Sequence, residues 1–387
     1  MRRTRVLVAA ALAVGLLRPS GADAQELLTT CENINASSIT VRNVRNDPIS
    51  QGVAQQAKAD LAQEISFLCG QVAMTLSNVQ PAIGIGFSGG NPVLGTAATL
   101  GTRFGMIPRV SLTARANAAF AELPDFFDAS EQIGEISSPS DSLEALPTAL
   151  IPLGSIQADV AVGVFNGFPL APTLGSIGSV DLLGSVSFIP LIGPVEDAGL
   201  EEAIINWGGG ARVGILGGGI LMPAVSVSGM YRRMGTVEFG DIDAGDPGRF
   251  STDLSVLSLR AIVSKGIALL NLAGGVGYDR YSSDPSFNFA LEYDCTSASC
   301  TAAKQDPTEP FVLTMTNDIE GELTTSAWNV FANIGLNLFL LDIVGEIGYQ
   351  KATDVIGADD LSTSRSLTEE ELGDGRLFGS FGFRLTL

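Results

Sequence analysis

The chain closes on Leu377-Phe-Gly-Ser-Phe-Gly-Phe-Arg-Leu-Thr-Leu387, eleven residues that alternate without a break. Leu377, Gly379, Phe381, Phe383, Leu385 and Leu387 share one face of an extended strand, and Phe378, Ser380, Gly382, Arg384 and Thr386 share the other. A soluble sheet has little use for aromatics on one face right up to the terminal carboxylate. A strand with one face in lipid and the other in a polar lumen needs this pattern. It needs it to the last residue, because a closed barrel leaves no backbone edge unpaired in the bilayer.

The same period of two recurs upstream. Strands are predicted near 81–88, 96–105, 108–122, 155–166, 179–189, 206–217, 221–233, 253–265, 268–282, 322–338, 343–352 and 375–387. Lipid-facing sets stand out, among them Val110, Leu112, Ala114, Ala116 and Ala118, or Leu257, Leu259, Ala261 and Val263. Short connections at 106–107, 167–178, 218–220, 266–267 and 339–342 alternate with long polar ones near 123–154, 190–205, 234–252, 283–321 and 353–374. That is the rhythm of periplasmic turns and extracellular loops. The expected fold is an all-β transmembrane antiparallel barrel of about twelve strands, spanning 80–387. Two further strands around Phe287-Asn-Phe289-Ala-Leu291 and Phe311-Val-Leu313 would make fourteen, and a hairpin outside the membrane is the simpler alternative. Trp207, Tyr231, Tyr278, Trp328 and Tyr349 fall near outer strand ends, where aromatic rings favour the membrane interface.

The N-terminus agrees. Arg2, Arg3 and Arg5 precede an apolar run from Val6 to Leu17, then Ala22-Asp-Ala24 offers a small-residue cleavage site. Twelve apolar residues are too few to span a bilayer, so 1–24 is expected to be a cleaved secretory signal. Its removal, with Arg2, Arg3, Arg5, Arg18 and Asp23, takes the formal charge from −20 to −23. An acidic chain is not built for nucleic acid. Mean hydropathy of +0.30 with 17% charged residues is greasy for an acidic soluble protein, and 45 glycines suit closely packed strands better than helices. Outer-membrane lipid, lipopolysaccharide, and the barrel-assembly machinery acting on the last strand are the expected partners, in a bacterial outer membrane.

Residues 25–79 differ. Val53, Ala57, Leu61, Ile65, Leu68 and Val72 recur at helical spacing and predict a helix over roughly 50–76. Two alternatives stay open for this segment: a periplasmic leader, or a plug folded into the lumen. Four cysteines in an exported chain point to disulfides, and the local pairing is Cys31 with Cys69 and Cys295 with Cys300. Without histidine or Cys-x-x-Cys spacing, neither a metal site nor a cofactor is expected.

On this register Arg103, Arg115, Arg212, Arg232, Arg260 and Arg384 face the lumen, with Asp159, Asp181 and Glu346. An arginine on the lipid face costs about 2–4 kcal/mol at mid-membrane, which forces them inward. A net basic wall would favour anionic solutes. Alternatively the arginines pair with lumen acids or with Asp60 and Glu64 of the N-terminal segment.

Barrel enzymes of the outer-membrane phospholipase and omptin types use histidine, which this chain lacks. None of Lys58, Lys265, Lys304 and Lys351 falls beside a lumen serine, so no enzymatic activity is expected. Leu100-Gly-Thr-Arg-Phe-Gly105 running into Pro108-Arg-Val110, and Val263-Ser-Lys-Gly266 running into Gly274-Gly-Val-Gly-Tyr278, resemble a broad class of bacterial outer-membrane barrels loosely akin to the long-chain fatty-acid transporter family. The resemblance implies fourteen strands, an N-terminal hatch and carriage of hydrophobic molecules. That family's Asn-Pro-Ala hatch motif is absent, so no binding residues carry over. The function expected is passive transport of small hydrophobic or anionic molecules, with a non-conducting surface scaffold or adhesion barrel acting through its acidic loops as the alternative.

Overall fold

The computed structural model describes residues 24–103, 107–124, 148–171, 175–189, 204–219, 222–239, 242, 248–293, 298–353, 355 and 375–387. The expected signal at 1–24 lies outside them except for Ala24. From the N-terminus come helix α1 (Ala24–Glu32), strand β1 (Ile39–Arg42) and helix α2 (Pro48–Ser88). A small hairpin, β2 (Thr102–Arg103) with β3 (Ile107–Pro108), precedes the first barrel strand, β4 (Val110–Pro124). Then follow β5 (Thr148–Phe165), a second small hairpin of β6 (Phe168–Ala171) and β7 (Gly175–Ile177), and β8 (Ser179–Ile189). The wall continues through β9 (Ile204–Gly217), β10 (Ala224–Phe239), β11 (Gly248–Ile267) and β12 (Leu270–Ser283). An outgrowth holds β13 (Ser286–Tyr293), helix α3 (Ala298–Ala303), β14 (Phe311–Met315) and β15 (Ile319–Glu320). The barrel finishes with β16 (Leu323–Leu338), β17 (Leu341–Ala352) and β18 (Arg376–Thr386).

The wall is ten antiparallel strands in sequence order, β4, β5, β8, β9, β10, β11, β12, β16, β17 and β18, and β18 pairs back onto β4 to close it. The expectation of twelve is corrected: 81–88 is the end of α2, and 96–101 is irregular chain. The alternative of fourteen fails too, since β13 and β14 pair with each other as a hairpin beyond the barrel. The other ten predicted strands are present.

Face assignment follows the pleat. Phe381 is 54% exposed while Phe378 is 2% exposed, and Leu377, Phe383, Val330, Ile334, Leu182, Val186 and Val263 all point outward. An exterior this apolar on a closed barrel belongs in lipid, where it meets no water and needs no partner. Trp207, Tyr231, Trp328 and Tyr349 are exposed on it, and Tyr278 stacks on Trp328 with ring centroids 5.0 Å apart. Among the described residues no helix is long and apolar enough to cross a membrane. The lower part of the 41-residue α2 runs inside the barrel instead.

The two ends of the barrel differ. Four connections, between β5 and β8, β9 and β10, β11 and β12, and β16 and β17, lie at a short-turn end, together with the start of β4 and Leu387. The other five lie at a long-loop end. There β1 pairs with β14, β14 with β13, and β13 with the far end of β11, so the N-terminal segment is built into the outgrowth. Leu27, Ile65, Cys69, Phe287, Phe311, Leu313 and Leu323 form one apolar core beneath that sheet. Cys31 and Cys69 are joined as expected, with Cα atoms 5.4 Å apart. Cys300 is also disulfide-bonded, and Cys295 lies outside the described residues.

Candidate functional site

Asp47-Pro48 starts α2 by ordinary capping chemistry. The Asp47 carboxylate accepts from the amides of Ile49 (3.1 Å) and Ser50 (2.9 Å), and Pro48 supplies a first-turn residue with no amide to satisfy. The Ser50 hydroxyl, then its amide, holds the Asp47 carboxyl below the usual carboxylate range. From this exposed start the helix descends from the long-loop end into the lumen. Gly84 lies so close to the ring of Tyr281 that any side chain would overlap it. Gly89, at φ +59, ends the helix, and its amide reaches the Ile85 carbonyl at 2.8 Å. Residues 89–101 then form a strap that runs down to the short-turn end and into β4.

Ten strands about 4.8 Å apart and tilted about 40° close at a backbone radius of about 10 Å, which leaves room for little more than one helix once inward side chains are placed. Helix and strap fill that room and are bonded to the wall along their length. Near the top, the Arg376 guanidinium donates to the Asn78 carbonyl at 2.7 Å, and Gln80 bonds Ser283. Mid-barrel, Arg115 donates to the Ser88 and Asn91 carbonyls, each at 3.0 Å, and its Nε lies 3.0 Å from Asp159. Arg260 donates to the Gly90 carbonyl at 2.8 Å while forking onto Asp279 at 2.8 and 3.0 Å. Glu346 does the converse, accepting the Gly90 and Asn91 amides at 2.8 Å each, with Asn333 at 2.7 Å and Ser380 at 3.1 Å holding its oxygens. Lower down, Arg212 bridges Asp181 (2.6 Å) and the Thr96 carbonyl (3.2 Å), and Asp181 also accepts the Leu100 amide. Arg384 bridges Asp342 and the Leu94 carbonyl (2.7 Å).

The logic is repeated four times: an arginine paired to an aspartate on the wall spends its remaining donors on a carbonyl of the plug. Burial of these four arginines is tolerated because each is both paired to a carboxylate and hydrogen-bonded to the plug. The result is a seal, made of backbone acceptors that any sequence would carry, recognised by side chains placed to meet them.

Arg115, Arg212, Arg232, Arg260, Arg384 and Glu346 all stand buried on the inward face. Arg103 does not join them. It lies on β2, outside the wall, because the chain is still leaving the lumen there. Nor is the wall net basic: five buried arginines face Asp159, Asp181, Asp279, Asp342 and Glu346. Asp342 falls in a predicted turn, and Asp279 lies at an inward position of β12 that the alternation alone does not flag. Asp60 is not an arginine's partner: it accepts from Gln56 at 2.8 Å on the upper half of α2, and Glu64 lies on the same half. The lower part of α2, from about Asn78 to Ser88, lies in the lumen, and the part above it packs with the outgrowth at the long-loop end.

No family model matches this chain, and no curated protein does. Solved outer-membrane barrels do. The outer-membrane protease OmpT from Escherichia coli matches with a TM-score of 0.34 at 9% identity, over 72% of this chain and 96% of its own. The translocator domain of the autotransporter NalP from Neisseria meningitidis matches with a TM-score of 0.33 at 11% identity, over 85% and 98%. The attachment invasion locus protein Ail of Yersinia pestis matches with a TM-score of 0.24 at 7% identity, over 72% and 98%. The likeness is one of barrel architecture. The expectation that the chain is no enzyme is not upheld, since a protease stands among these barrels; at 9% identity and a TM-score of 0.34 it assigns no catalytic role to this chain.

Proposed function

We propose that this protein is a sealed outer-membrane barrel that displays its own N-terminal segment on the cell surface. One observation carries the proposal: α2 passes into the lumen from the long-loop end, and its strap leaves at the short-turn end. In outer-membrane barrels long connections are extracellular and short turns periplasmic. With that orientation, residues 24–47 and the outgrowth they pair with lie outside the cell. The plug fastens that surface unit to the membrane through the four arginine bridges and Glu346. The acidic outer loops then act as a scaffold around it, in place of an open anion-selective pore.

Two measurements on the refolded mature chain and on cells test this. In planar bilayers the intact protein is expected to show no steady conductance. An epitope inserted at 36–38 is expected to bind antibody on intact cells. A stable anion-preferring conductance would restore passive solute transport, and an epitope reached only after the outer membrane is permeabilised would reverse the orientation.

A further inference from the structure

Arg232 is the exception among the lumen arginines. Its side chain is buried, and among the described residues no carboxylate lies within ion-pair distance, its Nε has no hydrogen-bond partner, and Nη2 reaches only the Met230 sulfur at 3.1 Å. A guanidinium stays charged inside proteins, and a thioether is a weak acceptor. The aspartates on either side are engaged, Asp159 by Arg115 and Asp279 by both arms of Arg260. Arg232 also has a position made for it, since a side chain at Gly208 on the neighbouring strand would crowd its stem.

Beside Arg232 lies a cavity of about 10 Å³, lined by Ser228 and Met230 from β10, Ser258 and Arg260 from β11, and Ser88, Gly89, Gly90 and Pro92 from the plug. The Ser88, Ser228 and Ser258 hydroxyls are buried and have no hydrogen-bond partner among the described residues. The lining therefore offers three O–H donors and two guanidinium groups, of which Arg260 is already engaged, and no carboxylate. The Gly89 and Gly90 carbonyls, the nearest backbone acceptors, are taken by Arg260.

We infer that this cavity binds one small monatomic anion, with chloride the ordinary occupant, as the counter-ion of Arg232. The size suits a single water-sized guest and excludes phosphate or sulfate. A water molecule would satisfy the hydroxyls but give the buried guanidinium no anion in direct contact, and the neighbouring Asp159 and Asp279 already spend their oxygens on Arg115 and Arg260. Because one side of the cavity is the end of α2 and the start of the strap, the anion ties the plug to β10 and β11.

The test uses the refolded mature chain, with thermal unfolding followed in sodium chloride, sodium bromide and sodium gluconate at equal ionic strength. The difference between protein variants is the readout. Wild type is expected to unfold several degrees higher in chloride and bromide than in gluconate. Arg232→Met should lose that difference, and Ser258→Ala should need about tenfold more chloride to reach it. Crystals soaked in bromide should show an anomalous peak between Arg232, Ser228 and Ser258. A wild-type midpoint indifferent to the halide overturns the proposal. So does a halide response unchanged in Ser258→Ala, which remains informative if Arg232→Met fails to fold, or an anomalous map without a peak in this cavity.

Discussion

Asp279 shows what a single carboxylate does inside this barrel. It takes both arms of Arg260 and a 2.6 Å hydrogen bond from Asn329, at a site with no exposed surface. Removing one partner of such a pair strands the other charge, which costs about 3–5 kcal/mol, whereas replacing both by apolar groups costs far less. Asp279→Ala is therefore expected to lower the urea midpoint sharply, and Arg260→Met with Asp279→Leu to recover most of the loss. Fluorescence of Trp207 and Trp328 would follow both; a near-wild-type midpoint for Asp279→Ala would rule out a structural role for the pair. The inward placement of the arginines is readable from the sequence, because lipid penalises each error on its own. Their partners are not. Asp342 reads as a turn residue, and the carbonyls of Ser88, Gly90, Leu94 and Thr96 look like every other carbonyl in the chain.

Among the elements, the barrel strands announce themselves and the lower half of α2 does not. A helix on a protein surface shows one apolar stripe. Within the lumen all sides are covered: Ile85 and Phe87 are buried on different apolar clusters, and Ala82 is buried as well. The 3.6-residue period fades there, and Pro81-Ala-Ile-Gly-Ile-Gly-Phe-Ser88 takes on the alternation of a strand. Gly84 is small because the Tyr281 ring of the wall is near, not because a strand is glycine-rich. Gly84→Leu is accordingly expected to push Tyr281 aside, at about 1–3 kcal/mol for overpacking. The plug would seat poorly, so channel-like current bursts in bilayers should accompany a lower unfolding midpoint. Silence in the bilayer with an unchanged midpoint would mean that the helix does not pack on Tyr281.

For the whole molecule, the surface unit and the barrel are two stability problems joined by one helix. The Cys31–Cys69 link closes a loop of 38 residues, a constraint on the unfolded chain of about 3–4 kcal/mol by loop entropy. With Cys31→Ser and Cys69→Ser together, protease is expected to trim the N-terminal segment while the barrel keeps its heat-resistant migration in gels. Loss of that migration instead would show that the link holds the barrel itself. The sequence alone determined that the chain forms a barrel, where its ten wall strands lie and which face of each meets lipid, since alternation and inward arginines are enforced residue by residue by the solvent. Only the tertiary structure decided the strand number, the occupant of the lumen and the end from which it enters. Those depend on contacts such as Glu346 with Gly90 or Ile39 with Met315, between residues far apart in the chain, and such contacts leave no period in the sequence.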